Sequence, residues 1–155
     1  MAVNVFVCFD HTDQKQVEAF NALKSASKHT LDTHDYLIRQ ASADGVEQSI
    51  PCRFNDAHAK AIRDEITTKF EQCAKLVVLI SAETHKNAWI DWKINTFHKM
   101  KDARAPGKAW TRIRAISLEG CEKAPAPKAL ECRSTKRLSW DPETLEKWLE
   151  EEPVV

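Results

Sequence analysis

The sequence is poor in glycine, with only three among its 155 residues, at positions 45, 107 and 120. Neither the GxGxxG fingerprint of dinucleotide-binding βαβ units nor the glycine-rich phosphate loop of P-loop proteins can be formed from glycines so far apart. A Rossmann-type dehydrogenase and a P-loop NTPase are therefore excluded.

Long apolar runs are also absent, since none approaches the roughly 20 residues needed to span a bilayer. The first residues, Met-Ala-Val-Asn-Val, contain neither a basic segment nor the apolar core of a signal peptide. We therefore expect a cytoplasmic protein that does not associate with a membrane.

No charge of one sign is in excess, because lysine plus arginine and aspartate plus glutamate both number 23. A neutral chain has no overall field that attracts nucleic acid, so we expect no nucleic-acid partner. The five cysteines contain no CxxC pair, which argues against a disulfide framework and a metal site. Cys8 and Cys73 are expected to be buried as small apolar side chains.

The most informative segment is residues 75–94, which combines a strand, a polar loop and a helix. Five consecutive apolar residues, 76–80, predict a strand that is buried on both faces. Apolar residues at helical spacing then predict a helix over residues 89–100, closed by Pro106 and Gly107. This is the repeating unit of a doubly wound α/β sheet, in which ligands bind outside the carboxyl ends of the strands.

The rest of the chain extends this alternation. Further strands are predicted at 3–9, at 33–39 on a sheet edge, at 112–118 with one wetter face, and at 131–140 in an exposed position, while residues 40–54 are predicted to form the longest loop. Three further helices are predicted. The first covers 13–28 and has the apolar stripe Val17, Phe20, Ala22, Leu23 and Ala26, and the second is capped by Asn55 or Asp56 and has the apolar face Ala57, Ala61, Ile62, Ile66 and Phe70. The third begins at Asp141 and Pro142. The length suits one domain, residues 1–155, with a flavodoxin-like three-layer α/β/α sandwich and a mostly parallel central sheet.

The predicted site is a cleft between the carboxyl ends of the first and third of these strands. Its polar and aromatic groups suit a ribose and a stacked base or nicotinamide. The candidate residues are Phe9, Asp10, His11 and Asp13 from the first strand and its loop, Ser81, Glu83, Thr84 and His85 from the third, and Trp89, Trp92 and Lys93 from the helix.

Several of these residues also have a purely structural interpretation. Asp10 and Asp13 are equally suited to capping the first helix. Trp89 has the spacing of a core aromatic, and His11 and His85 lack the spacing of metal ligands. A phosphorylated receiver domain is disfavoured because Ser81, and not an aspartate, ends the third strand. A flavin mononucleotide site is disfavoured because the first strand is not followed by a Ser/Thr-rich phosphate cradle.

Three segments make the chain resemble the TIR-like domains of bacterial antiphage defence, the Thoeris TIR-like proteins and their flavodoxin-like relatives. They are residues 5–13 (VFVCFDHTD), 61–66 (AIRDEI) and 76–94, the last of which contains WIDWKI. The first resembles the family's Phe-x-x-Phe-Asp-Tyr-x-Asp ending, and the third is similar to its Val-x-Ile-Ser, Thr and Trp-(Val/Ile)-x-(Trp/Tyr)-Glu-Ile pattern. The resemblance implies a cytoplasmic domain that cleaves NAD, as a glycohydrolase or ADP-ribosyl cyclase, and makes an ADP-ribose-type signal for a partner effector. It also implies self-association.

The sequence departs from the family at the centre of that pattern, where Lys93 stands in the position of the catalytic glutamate. An ammonium group repels an oxocarbenium-like centre and cannot accept hydrogen bonds from ribose hydroxyls. Asp91 is a poor substitute, since two residues along a helix rotate the side chain by about 200°. Two hypotheses follow: either Asp10 or Glu83 supplies the acid, or the domain binds a nucleotide or a partner protein without cleaving NAD. A third is an interaction domain in which Lys93 is a solvated helix residue.

Overall fold

The computed structural model describes residues 3–11, 13–34, 37–41, 47–51, 54, 59–82, 84–131 and 137–151. Its central sheet has five parallel strands, which are β1 (Asn4–Cys8), β2 (Thr30–Asp32), β5 (Lys75–Ile80), β6 (Ile113–Ser117) and β7 (Arg137–Leu138). Their order in the sheet is β2-β1-β5-β6-β7. The helices are α1 (Gln14–Ala26), α2 (Ala59–Gln72), α3 (Ala88–Arg104), α4 (Lys128–Glu131) and α5 (Pro142–Glu150). This flavodoxin-like α/β fold confirms the prediction.

Each face of the sheet is covered by its own set of helices. Phe6, Leu76 and Val78 pack with α2 and α3 on one face, whereas Val7 and Val77 pack with α1 and α5 on the other. Because successive side chains of a strand point to opposite faces, a strand between two helical layers must be apolar throughout. All six residues of β5 are buried, as residues 76–80 predicted.

Burial on the helices differs in part from the predicted stripes. On α1, Phe20 and Leu23 are buried as expected, but Ala22 and Ala26 are exposed, and Gln16 and Ala19 face the core instead. Gln16 can be buried because its polar side chain has hydrogen-bond partners inside the protein. A pattern of apolar residues does not reveal such a buried polar position.

Helix α2 buries Ile62, Ile66 and Phe70 as predicted, together with Ala59, while Ala61 is exposed. The proposed cap residues Asn55 and Asp56 and the face residue Ala57 lie outside the described residues.

The prediction for residues 33–54 was wrong in its arrangement. The strand that pairs with β1 is β2, at Thr30–Asp32. The predicted loop contains a strand, since β3 (Leu37–Ala41) pairs antiparallel with β4 (Glu47–Pro51) as a separate two-stranded sheet. The sequence of β4 is mostly polar and lacks the alternation that marks a half-buried strand, so its pairing was not evident from the sequence.

The second half of the chain follows the predicted order, except that a short helix that was not predicted, α4, precedes the last strand. Strand β6 was predicted correctly, but its second face is covered by α5, where the guanidinium of Arg114 lies 5.1 Å from the ring centroid of Trp148. Of the predicted strand 131–140, Glu131 is the last residue of α4, β7 is Arg137–Leu138, and residues 132–136 lie outside the described part of the chain. Helix α5 begins as predicted, with Asp141 as N-cap and Pro142 at its first position.

The buried thiols also match expectation, since Cys8 and Cys73 are free and enclosed. Burial raises the pKa of Cys8 to about 12 and that of Cys73 to about 11, so both thiols are neutral and unreactive at ordinary pH. Among the described residues, no helix has the length and apolar character required to cross a bilayer.

Candidate functional site

The carboxyl ends of β1 and β5 are joined by a buried hydrogen-bond network centred on Gln16. Its Nε2 donates to Ser81 Oγ at 2.7 Å and to Thr84 Oγ1 at 2.8 Å, and its Oε1 accepts from the Asp10 backbone N–H at 2.7 Å. Ser81 Oγ in turn donates to Asp13 Oδ2 at 2.6 Å. Protein side chains therefore span the place between β1 and β5 where an α/β sheet with this strand order commonly opens a ligand crevice.

The local sequence explains how this network forms. Asp13 is the N-cap of α1 and accepts from the Lys15 backbone N–H at 3.0 Å, so it has the capping role proposed as one alternative. Gln16 is then the third residue of the helix, the position from which Glu or Gln turns back toward the preceding backbone. Gln16, Ser81 and Thr84 are all buried. The ligand contacts predicted for Ser81 and Thr84 stay a prediction, since here both hydroxyl groups bond to Gln16.

An open cleft of about 490 Å³ lies instead beside the carboxyl ends of β1 and β2. On its aromatic wall, the ring of Phe9 stacks on Phe20 with centroids 4.9 Å apart and lies 4.1 Å from the His11 ring, tilted by 33°. Phe9 and Phe20 are buried and His11 is half-buried, so His11 is the most accessible of the three rings. The cleft is also lined by the polar residues Thr33, His34, Glu65 and Lys69, called here the polar wall.

The polar wall holds one hydrogen-bonded pair and one ion pair. His34 Nε2 lies 2.8 Å from Glu65 Oε2, whose side chain is 65% exposed. Lys69 Nζ lies 3.0 Å from Asp32 Oδ2. The cleft thus offers a carboxylate, an imidazole and an ammonium group beside an aromatic surface, which is a combination suited to a nucleotide.

Lys93 lies behind this polar wall and is completely buried. Its Nζ donates to the backbone oxygen of His34 at 3.2 Å and lies 5.2 Å from the centroid of the Phe6 ring. The hypothesis of a solvated Lys93 is therefore wrong. A buried ammonium is costly without partners, and a backbone carbonyl and an aromatic face are groups that favour its charge.

The neighbouring residues of α3 have structural contacts. Asp91 Oδ1 accepts from the Ala129 backbone N–H at 3.0 Å, at the start of α4, and so points away from Lys93 as helix geometry predicted. Trp89 is buried and packs edge-to-face on Phe54 and Trp92. The core position of Trp89 was one of the two roles considered for it.

The structure distributes the predicted residues over two places. Phe9 and His11 line the open cleft, whereas Ser81 and Thr84 belong to the Gln16 network, and Asp10 is half-buried in the loop between them. Glu83 lies outside the described residues.

Sequence reasoning missed several residues of these two places, among them Gln16, Glu65 and His34. Gln16 was signalled by its spacing from Asp13, whereas Glu65 and His34 come from different elements and meet only in the tertiary structure.

A possible metal centre is best judged from His29, Glu146 and Glu150, whose potential ligand atoms lie within 4.8 Å of one another. The backbone N–H of Val3 donates to His29 Nδ1 at 3.1 Å, so the neutral ring carries its proton on Nε2, the atom that would bind the metal. That Nε2 faces Glu146 Oε1 at 3.5 Å. Glu146 accepts hydrogen bonds from Ser27 Oγ at 2.7 Å and from the Lys28 backbone N–H at 3.2 Å, so its carboxylate docks α5 and the group is not arranged as a metal site.

The parallel sheet, its helical layers and the cleft at its carboxyl edge define a flavodoxin-like α/β domain. The family model for the TIR-like domain of the Thoeris protein ThsB matches residues 6–106, more than half of the chain. The chain therefore belongs to the family of ThsB TIR-like domains, and this membership points to antiphage-defence signalling. No curated protein matched the chain.

Proposed function

We propose that this chain is a Thoeris-type signalling domain that binds NAD or a related nucleotide without cleaving it. The binding part of the proposal is supported by the cleft beside β1 and β2, which is lined by the rings of Phe9 and His11 and by the polar groups of His34 and Glu65. The volume of about 490 Å³ is within the usual range for a small-molecule pocket.

The observation that favours binding over cleavage is the environment of Lys93. The family carries its catalytic glutamate at this position, and here an ammonium is held against His34 and the Phe6 ring. In a poorly solvated interior, a positive charge at this position destabilises the positive charge that develops on ribose as nicotinamide leaves. From its buried position behind the cleft, the same charge favours a bound pyrophosphate through its electrostatic field and not by direct contact.

The test measures binding and turnover on the same preparation. Calorimetric titration with NAD and with ADP-ribose should give saturable binding, while nicotinamide release at high protein concentration should stay at the level of a protein-free control. Glu65→Gln should weaken binding, because it removes a charged acceptor from the cleft, whereas Lys99→Gln on the exposed side of α3 should not. Failure of both ligands to bind at millimolar concentration would refute the proposal.

A second candidate function is NAD cleavage with a relocated acid, and it is favoured by one specific observation. Glu65 places an exposed carboxylate in the cleft, in hydrogen-bond contact with His34. Nicotinamide release by the unmodified protein would support this candidate, and Glu65→Gln or Asp10→Asn should then abolish release. Activity that survives both substitutions would refute it. Activity gained only in Lys93→Glu would show that the cleft has kept its substrate and lost its acid.

The remaining parts of the signalling role rest on family membership alone. In this proposal the domain acts in the cytoplasm, self-associates, and passes its state to an effector protein of the defence system. Light scattering of the purified domain with and without NAD would test the self-association.

A further inference from the structure

A second pocket lies at the opposite edge of the sheet, where β5 and β6 begin. It encloses about 270 Å³ and is lined by the last turn of α3 and by the residues that precede the two strands. Three of its lining residues are cations, Lys101, Arg104 and Arg112, and one is an acid, Glu71. The pocket therefore has an excess of positive charge, in a chain whose net charge is zero.

Lys101 is the least usual of these cations because its side chain is buried. The residue is 7% exposed, its Nζ donates to the Phe70 backbone oxygen at 3.1 Å, and the Phe97 ring centroid lies 5.1 Å away. An ammonium has three N–H donors, and within the described residues this carbonyl is its one hydrogen-bond acceptor. Burial lowers the pKa of Lys101, and the neighbouring charges of Arg104 and Arg112 lower it further.

The simplest alternative is that these cations only stabilise the carboxyl ends of helices. Lys101 and Arg112 do bond to backbone oxygens near the end of α2, at Phe70 and Ala74. Each of these contacts uses a single donor, however, whereas a guanidinium has five. Among the described residues, neither Arg104 nor Arg112 forms an ion pair with a carboxylate. Cation capping therefore leaves most of the donors around the pocket available.

We propose that this basic pocket binds a dianionic phosphate group, either as inorganic phosphate or as the phosphate of a small monoester. A phosphate offers several strong acceptor oxygens, which match the fork of a guanidinium and the point charge of an ammonium. Its charge would offset the mutual repulsion of Lys101, Arg104 and Arg112. The pocket is independent of the nucleotide cleft, which lies at the other end of the strands.

The experiment titrates inorganic phosphate, and separately ribose 5-phosphate, into the purified chain at constant ionic strength, with chloride as the reference anion. Calorimetry should show saturable binding that chloride does not reproduce, and the tighter of the two ligands identifies the source of the phosphate. Arg104→Gln should weaken binding by about tenfold or more, since a hydrogen bond between charged groups is lost. Arg104 is exposed, so this variant should fold normally.

Lys99→Gln is the matched control, because it removes one positive charge from an exposed position of the same helix. It should bind phosphate as the parent does. Binding that is absent, or that is weakened equally by Lys99→Gln and Arg104→Gln, would overturn the proposal. A spectroscopic check is available in the signal of the Lys101 ammonium, which should shift with phosphate in the parent and not with chloride.

Discussion

Replacing Gln16 by leucine should destabilise the protein substantially, although the substitution makes the side chain more apolar. Leucine fills a similar volume, so the change removes hydrogen bonds without opening a large cavity. The bonds lost are those to the Asp10 backbone N–H, to Ser81 Oγ and to Thr84 Oγ1, at 2.7, 2.7 and 2.8 Å.

The magnitude follows from the number of bonds and their burial. Each net hydrogen bond contributes about 1 kcal/mol, and donors or acceptors left buried add to the loss, so we expect a decrease of about 2–4 kcal/mol in the free energy of unfolding. For a chain of this length, that corresponds to a fall in Tm of roughly 5–15 °C. Gln16→Glu should cost at least as much near neutral pH, because it places a second carboxylate near Asp13 Oδ2, which lies 3.5 Å from Gln16 Nε2.

Urea unfolding followed by tryptophan fluorescence measures the effect directly. Gln14→Leu is the matched control: Gln14 is exposed, its Nε2 donates to Glu18 Oε1 at 3.3 Å, and its replacement should change stability by less than about 0.5 kcal/mol. If Gln16→Leu unfolds at the same urea concentration as Gln14→Leu, the network does not stabilise the junction of β1 and β5 and the reasoning is refuted.

Two further predictions concern α5. Burial lowers the pKa of Lys75 from its ordinary 10.5 to about 8. Between pH 8 and 10.5 the unfolded chain therefore binds more protons than the folded chain, so the stability of the parent relative to Lys75→Met should rise with pH by up to about 3 kcal/mol. Urea titrations at intervals across this pH range measure the relative stability, and a fall with pH would contradict the prediction. Asp141→Ala should lower the Tm by roughly 2–4 °C, because Asp141 Oδ1 accepts from the backbone N–H groups of Glu143 and Thr144, while Asp141→Asn should retain most of the cap. An unchanged Tm in Asp141→Ala would show that the cap contributes nothing.

Much of the fold could be predicted because its signals are local. Five apolar residues in succession, 76–80, have few stable locations other than a strand covered on both faces, and the structure buries all of them. Asp141 followed by Pro142 marks the start of α5, since the Asp141 side chain caps free backbone N–H groups and Pro142 has no backbone N–H that needs a partner. Such signals depend on neighbours within a few residues, so they can be recognised in the sequence.

The position of the open cleft was not legible in the same way. The predicted residues Ser81 and Thr84 do lie at the end of β5, but Gln16 from another element bonds to both and fills the space between the strands. Glu65 lies on α2, distant in sequence from the His34 that it contacts. The groups that line the cleft are therefore brought together by the packing of the helices on the sheet.

By itself, the sequence determined the α/β class, the burial of β5, the cap of α5 and the replacement of a family glutamate by Lys93. Only the tertiary structure decided that Lys93 is buried and that its ammonium meets the carbonyl of His34, a residue 59 positions away. The physical reason is that the environment of a charge is set by whatever packs around it, and in a parallel sheet those neighbours come from strands and helices far apart in the chain.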